Sequence, residues 1–205
     1  MNQAVAGSAK AGRTGDDDYQ AVAFSAPDID DSDVEAVVQT LRSGWITTGS
    51  EANTLEAELA TYLGVPHVLA VSSCTAALEI ALAALHLSPG ARVGVPTWTF
   101  ASSALAAVHN GAVPVLLDVD PATLNLSPTS LSRALDDGLD AVVGVHFGGQ
   151  PLEPTIHEAC AAAGTPLVED AAHALGTSDH RGMVAGQRTA GACFSFYANK
   201  NLTIG

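Results

Sequence analysis

The chain has 205 residues, of which 47% are hydrophobic, and a formal net charge of −14 at pH 7. This length and apolar content are enough for one large domain with a packed core. The acidic charge argues against nucleic acids and anionic membranes as partners, because both attract basic surfaces. It leaves open a small anionic ligand, which needs only a local pocket of hydrogen-bond donors.

Along the chain, residues 1–24 are rich in Ala, Gly and Asp, which predicts a disordered tail, and residues 25–205 are expected to form the domain. A capping box at Ser32 begins the first predicted helix, which ends at Gly44. The later predicted helices cover about 54–63, 75–87, 100–110, 129–135 and 154–163. Short β-branched runs, typical of strands, lie at 68–71, 92–95, 113–118, 141–146, 167–169 and 192–196.

Strands that alternate with helices predict an α/β domain with three αβα layers and a mostly parallel sheet. In such sheets, ligands bind at the carboxyl ends of the strands. Three widely spaced cysteines give neither a disulfide framework nor a zinc motif, which favours a reducing, cytoplasmic setting. The sequence has no apolar run of 18 residues and no apolar signal at its N-terminus, so neither a membrane span nor a secretory leader is expected.

Two segments at predicted strand ends suit the binding of a flat, phosphorylated ligand. SCTAAL at 73–78 opens a helix, where free N–H groups, the helix dipole and hydroxyls favour a phosphate. Taken alone, an ordinary helix cap is the commoner explanation of that segment. PTWTF at 96–100 offers aromatic rings for stacking on a ligand ring, although packing in the core explains them equally well.

Two further segments carry groups for chemistry. EDAAH at 169–173 ends a buried strand, and an acid there can keep a cofactor's ring nitrogen protonated, as pyridoxal phosphate requires. A metal site on Asp170 and His173 is a rival, but no further ligands with suitable spacing are evident. A structural strand-end acid beside a surface histidine is the ordinary alternative.

Lys200 follows the aromatic run FSFYAN at 194–199, and the only other lysine of the chain is Lys10 in the predicted tail. Desolvation in an apolar pocket favours the neutral amine of a lysine, which can form an imine. A solvated lysine just after a strand is the alternative. The four segments together provide the groups that pyridoxal phosphate needs, whereas neither a Walker A motif nor GxGxxG is present.

The sequence resembles the nucleotide-sugar aminotransferases of the DegT/DnrJ/StrS type, which are fold-type I pyridoxal-phosphate enzymes. The resemblance covers residues 26–205 and is carried by seven segments in the family's order. These are GWITTG at 44–49, SCTAAL at 73–78, PTWTF at 96–100, DVDPATLN at 118–125, HFGGQP at 146–151, EDAAHA at 169–174 and FSFYANKN at 194–201.

The resemblance implies roles for three residues in catalysis. Lys200 would be the Schiff-base lysine and would then move the proton between substrate and cofactor. Asp170 would face the pyridine nitrogen, and His173 would contact the cofactor near its phenolic oxygen. The implied reaction transfers an amino group, usually from glutamate, to a keto-sugar nucleotide in amino-sugar biosynthesis.

The resemblance also implies how the cofactor is held. Thr75, Ala76 and Ser195 would bind its phosphate, the first two partly through backbone N–H groups. Phe100 would stack on the ring, with Trp98 as the rival. Family members act as homodimers whose sites borrow residues from the neighbouring subunit, and no metal is expected.

Three features depart from the family's pattern. Cys74 replaces the usual Gly in the phosphate loop, where a positive φ would be tolerated poorly, and Ser50 replaces a Pro. The sequence ends soon after the lysine, where family members continue with the rest of the large domain and a smaller one. We therefore expect weak cofactor binding, and little or no turnover, from this chain alone.

Three alternatives stay open. A pyridoxal-phosphate sugar dehydratase has the same fold, but its lysine is typically replaced by histidine, so Lys200 argues against it. A truncated remnant or regulatory binder would keep the fold without catalysis. A Rossmann-type dehydrogenase would need a glycine-rich turn, where this sequence has Ser-Cys-Thr.

Overall fold

A computed structural model describes residues 27–179, 182–183, 186 and 188–204. The predicted disordered tail lies outside these residues. Five parallel strands form the main sheet in the order β2-β1-β3-β4-β7. Their bounds are β1 Arg92–Pro96, β2 Val113–Leu117, β3 Ala141–Val145, β4 Leu167–Asp170 and β7 Gly191–Cys193. Two short strands, β5 Ser178–Asp179 and β6 Gly182–Met183, pair with each other in an antiparallel manner.

The described α-helices are α1 Asp31–Ser43, α2 Ser50–Leu63, α3 Cys74–Ala84, α4 Ser102–His109, α5 Pro128–Asp136 and α6 Pro154–Ala163. Helices α3 and α4 cover one face of the sheet and α5 and α6 cover the other, which confirms the predicted three-layer α/β fold. Leu78 and Leu82 of α3 and Ala106 of α4 pack in one core with Val143 of β3. On the opposite face, α5 and α6 form a second core that includes Val142 of the same strand. Adjacent residues of β3 thus enter different cores, as expected of a parallel strand buried on both faces.

The helix ends follow local sequence signals, with one correction. Gly44, Gly64 and Gly164 adopt left-handed conformations at the C-termini of α1, α2 and α6. The prediction that Ser32 caps α1 is wrong. Asp30 is the N-cap, because its carboxylate accepts the backbone N–H groups of Ser32 and Asp33, and the Asp33 side chain accepts the N–H of Asp30 in return.

The predicted strand at 68–71 is not formed among the described residues. This segment and β7, the edge strand of the sheet, both line a groove of about 640 Å³. A strand requires a hydrogen-bonding partner, and no described strand pairs with this segment, so β-branched composition alone was a misleading signal here.

The carboxyl ends of the parallel strands meet at one edge of the sheet, and the candidate residues follow them. PTWTF covers the end of β1, HFGGQP follows β3, EDAAHA covers the end of β4, and the lysine segment follows β7. No described helix is both long and apolar enough to cross a bilayer.

Candidate active site

Asp170 ends β4 and is the buried carboxylate of the site. Its side chain is nearly buried, with 5% of the residue exposed. One carboxylate oxygen, Oδ2, accepts the Ser103 hydroxyl at 2.7 Å, and the other, Oδ1, accepts the Ala172 N–H at 3.2 Å. The Cys74 sulfur lies 4.0 Å from Oδ1. A buried carboxylate with donors on both oxygens is fixed in one orientation.

Lys200 and His173 form the second part of the site. The lysine Nζ lies 2.8 Å from His173 Nε2. Partial burial, followed by the positive charge of Lys200, lowers the pKa of His173, while the Asp170 charge acts in the opposite direction. A neutral imidazole can accept a hydrogen bond from the ammonium group, and this requires its proton to be on Nδ1. Both Asp170, three residues before His173, and Lys200, in contact with it, thus act on this imidazole.

The N-terminus of α3 is the candidate phosphate site. Ser73 is the N-cap, and its hydroxyl accepts the N–H of Ala76 at 3.1 Å. Thr75 and Ala76 occupy the first turn, where the helix dipole favours an anion, although the Ala76 N–H is already bound to Ser73. Ser195 lies on the groove that also contacts Ser73, and its hydroxyl accepts the Tyr197 N–H at 3.4 Å.

Cys74 does not strain the loop, contrary to the expectation from the missing glycine. It is the first residue of α3, and among the described residues other than glycine only His86 and Leu124 have a positive φ. The thiol instead points inward and donates to the Cys193 carbonyl at 3.4 Å. Burial, followed by the charge of Asp170, raises the pKa of Cys74 well above its usual range, so the group stays protonated.

The two candidate stacking aromatics lie at the end of β1 in different surroundings. Trp98 is 54% exposed, and its ring is 6.1 Å from that of Phe147, centre to centre, at 55°. Phe100 is 78% exposed. Both rings are therefore accessible to a ligand, and the contact with Phe147 gives Trp98 the more defined orientation.

Sequence reasoning missed the role of Glu169, which precedes Asp170 and points to the other side of β4. This residue is fully buried, and its Oε2 accepts the Gly186 N–H at 2.7 Å and the Thr189 hydroxyl at 2.9 Å. Its Oε1 is 3.2 Å from His146 Nε2. The Leu152 N–H donates to His146 Nδ1 at 3.1 Å, so the imidazole proton is on Nε2 and faces Glu169. Alternation along a strand was the available signal, since neighbouring residues face opposite ways.

The loop after β3 supports the backbone of His173. Asn125, which is buried, accepts the Phe147 N–H at 2.8 Å and donates to the Gln150 and Pro151 carbonyls. Gly149 has a φ of +85°, and a Cβ there would lie 2.7 Å from the His173 carbonyl oxygen. The close approach therefore requires glycine.

The structure thus brings Asp170, His173 and Lys200 together, with Thr75 and Ala76 at the adjacent helix end. Among the described residues, no group of three His, Cys, Asp or Glu side chains could hold a metal ion, so the metal alternative finds no support there. A buried acid, a lysine beside a neutral histidine, and a helix N-terminus occupy the same edge of a parallel sheet.

The fold defines the class: it is an α/β fold that matches the fold-type I pyridoxal-phosphate aminotransferases. The model of the DegT/DnrJ/EryC1/StrS aminotransferase family matches residues 27–205. The chain belongs to this family.

Three relatives illustrate the similarity. The spore coat polysaccharide biosynthesis protein SpsC of Bacillus subtilis is 42% identical over 183 residues, which is 89% of this chain and 47% of SpsC. Spr1654 of Streptococcus pneumoniae, described as a sugar aminotransferase and solved in its PLP form, is 32% identical with a TM-score of 0.81, covering 89% of this chain and 50% of its own. Helicobacter pylori PseC, an aminotransferase involved in pseudoaminic acid biosynthesis, is 26% identical with a TM-score of 0.81. The match covers 88% of this chain and 49% of PseC. The chain spans about half the length of these relatives.

Proposed function

We propose that this chain is the cofactor-binding part of a pyridoxal-phosphate aminotransferase that transfers an amino group, with glutamate as donor, to a keto-sugar nucleotide. The observation that carries the proposal is the contact between Lys200 Nζ and His173 Nε2 at 2.8 Å, at the sheet edge that also holds Asp170. The polysaccharide role of SpsC and the sugar role of Spr1654 support the substrate class.

The side chains fit the cofactor group by group. The helix N-terminus at Thr75 and Ala76 is a site for the phosphate, beside the Ser195 hydroxyl. Asp170 is a buried carboxylate that can accept a hydrogen bond from a protonated pyridine nitrogen and so keep it protonated. Lys200 is the amine for the cofactor's aldehyde, and the exposed ring of Phe100 or Trp98 is available for stacking.

When bound, pyridoxal phosphate supplies an electron sink for a carbanion formed at the amino-bearing carbon. The protein's part is to orient and to move protons. His173, kept neutral by its lowered pKa, accepts a hydrogen bond from Lys200 without adding a second positive charge. Lys200 is thereby held in place to take a proton from substrate and return it, as a general acid–base requires.

The presence of Lys200 favours this reaction over the dehydratase, because a dehydratase of this fold typically lacks that lysine. We further propose that the protein acts as a homodimer, in which the neighbouring subunit completes the substrate pocket. A cytoplasmic location fits the three cysteines, none of which is disulfide-bonded.

The test is a titration of the purified chain with pyridoxal phosphate, followed by absorbance. Because the chain has two lysines, Lys200→Arg and Lys10→Arg are a matched pair. We expect a protein-bound cofactor band in the wild type and in Lys10→Arg, and none in Lys200→Arg. A band of equal strength in Lys200→Arg, or no band in the wild type at saturating cofactor, would contradict the proposal.

A further inference from the structure

Asp170 depends on a donor from a distant part of the sequence. Ser103, on α4, is 67 residues away and fully buried, and its hydroxyl lies 2.7 Å from Asp170 Oδ2. The same hydroxyl lies 2.7 Å from that of Thr99. Ser103 therefore stands between Thr99 and the acid.

The direction of this chain of hydrogen bonds follows from its chemistry. An ionised carboxylate only accepts, and a serine hydroxyl has a single proton to donate. Ser103 must therefore donate to Asp170, and Thr99 must donate to Ser103. Hydrogen bonds in such a series strengthen one another by polarisation.

This series of hydrogen bonds from Thr99 through Ser103 to Asp170, the hydroxyl relay, connects two parts of the site that lie on different strands of the sheet. Thr99 lies between Trp98 and Phe100 in the segment that follows β1, whereas Asp170 ends β4. In the sheet, β3 lies between these two strands. The two hydroxyls thus link the aromatic segment after β1 to the carboxylate of Asp170 at the end of β4.

We propose that Ser103, oriented by Thr99, is a positioning residue that fixes the Asp170 carboxylate relative to the aromatic segment, so that both meet the same cofactor ring. This inference rests on the proposed function, since it assigns Asp170 to the ring nitrogen. Removing the hydroxyl in Ser103→Ala leaves Oδ2 without this donor, so that the Ala172 N–H at Oδ1 is the remaining described N–H or O–H donor that orients the carboxylate. Ser103→Thr keeps a hydroxyl at the same position.

The experiment compares dissociation constants for pyridoxal phosphate and for its analogue with a ring C–H in place of the nitrogen. The proteins are the wild-type chain, Ser103→Ala, Ser103→Thr and the control Ser102→Ala, a buried neighbour in the same turn. We expect Ser103→Ala to weaken binding of pyridoxal phosphate about tenfold, as for loss of one hydrogen bond to a charged group. The analogue should bind to Ser103→Ala as tightly as to the wild type. Ser103→Thr should restore the selectivity for pyridoxal phosphate over the analogue.

Equal weakening of both ligands in Ser103→Ala would indicate a merely structural role and would overturn the inference. Wild-type selectivity that persists unchanged in Ser103→Ala would overturn it as well, while the proposed function would stand. Binding of neither ligand by the wild type would instead reject the proposed function and the inference together. If Ser103→Ala does not fold, Thr99→Val tests the outer end of the relay, where we expect a smaller loss of selectivity, about threefold, and unchanged selectivity would overturn the inference.

Discussion

The two carboxylates at the end of β4 and the lysine segment after β7 are built differently. Asp170 and Glu169 end a buried strand, are almost inaccessible to solvent, and together accept hydrogen bonds from several elements. Lys200 lies on a partly exposed segment after β7, where its side chain has one described hydrogen bond, to His173. The two carboxylates are therefore held rigidly by burial, whereas the lysine is positioned mainly by electrostatics and one hydrogen bond.

The largest expected effect is a loss of stability in Glu169→Ala. Glu169→Ala removes a buried carboxylate, leaves the Gly186 N–H and His146 without this acceptor, and takes from the Thr189 hydroxyl the nearer of its two acceptors. We expect the free energy of unfolding to fall by about 3–5 kcal/mol. Urea unfolding measures this loss, and Glu158→Ala, on the exposed face of α6, is the control with an expected change within about 0.5 kcal/mol. Similar free energies of unfolding for the two variants would show that the end of β4 is not a rigid element.

A smaller loss of stability is expected from substitutions in the loop after β3, which contacts the backbone of His173. Gly149→Ala places a Cβ 2.7 Å from the His173 carbonyl and forces alanine into a φ of +85°. Gly148→Ala is a matched control, because its φ is +60° and nothing lies within 4 Å of the new Cβ. We expect each variant to lose about 1–2 kcal/mol from the left-handed backbone, with a further loss only in Gly149→Ala.

The NMR signals of the His173 imidazole should shift in Gly149→Ala and stay in place in Gly148→Ala. Equal unfolding energies for the two variants, with unshifted imidazole signals, would show that the loop does not support the lysine side of the site.

The smallest effect is electrostatic and leaves stability nearly unchanged. Since the charge of Lys200 contributes to lowering the pKa of His173, Lys200→Met should raise that pKa toward its ordinary value. The imidazole would then take up its proton at a higher pH than in the wild type. Lys200→Arg retains the positive charge and should keep the pKa low. An NMR titration of His173 in the three proteins measures this, and an unchanged pKa in Lys200→Met would contradict the electrostatic coupling.

Much of the fold followed from local sequence signals. The alternation of β-branched runs with helical segments predicted the three layers, and glycines such as Gly44 and Gly164 marked helix ends that the structure confirms. The unpaired segment at 68–71 could not be anticipated, because strand formation depends on a partner and not on composition alone.

The candidate site also has residues that the sequence indicated and residues that it did not. Asp170, His173 and Lys200 stood out because unusual residue types occur at strand ends, although their individual roles remain predictions. Ser103 gave no signal, since a serine inside a helix is unremarkable until its distant partner is known. The concern about Cys74 failed for a similar reason: whether a position needs glycine depends on its φ, and here the residue begins a helix.

The central claim is that Lys200 carries the cofactor at the edge of this sheet. The most direct measurement is to reduce the complex of the chain and pyridoxal phosphate with borohydride, which makes the bond between cofactor aldehyde and lysine permanent, and then to map the labelled peptide by mass spectrometry. We expect the label on Lys200 and none on Lys10. A label on Lys10 or the N-terminal amine, with Lys200 unmodified, would contradict the claim.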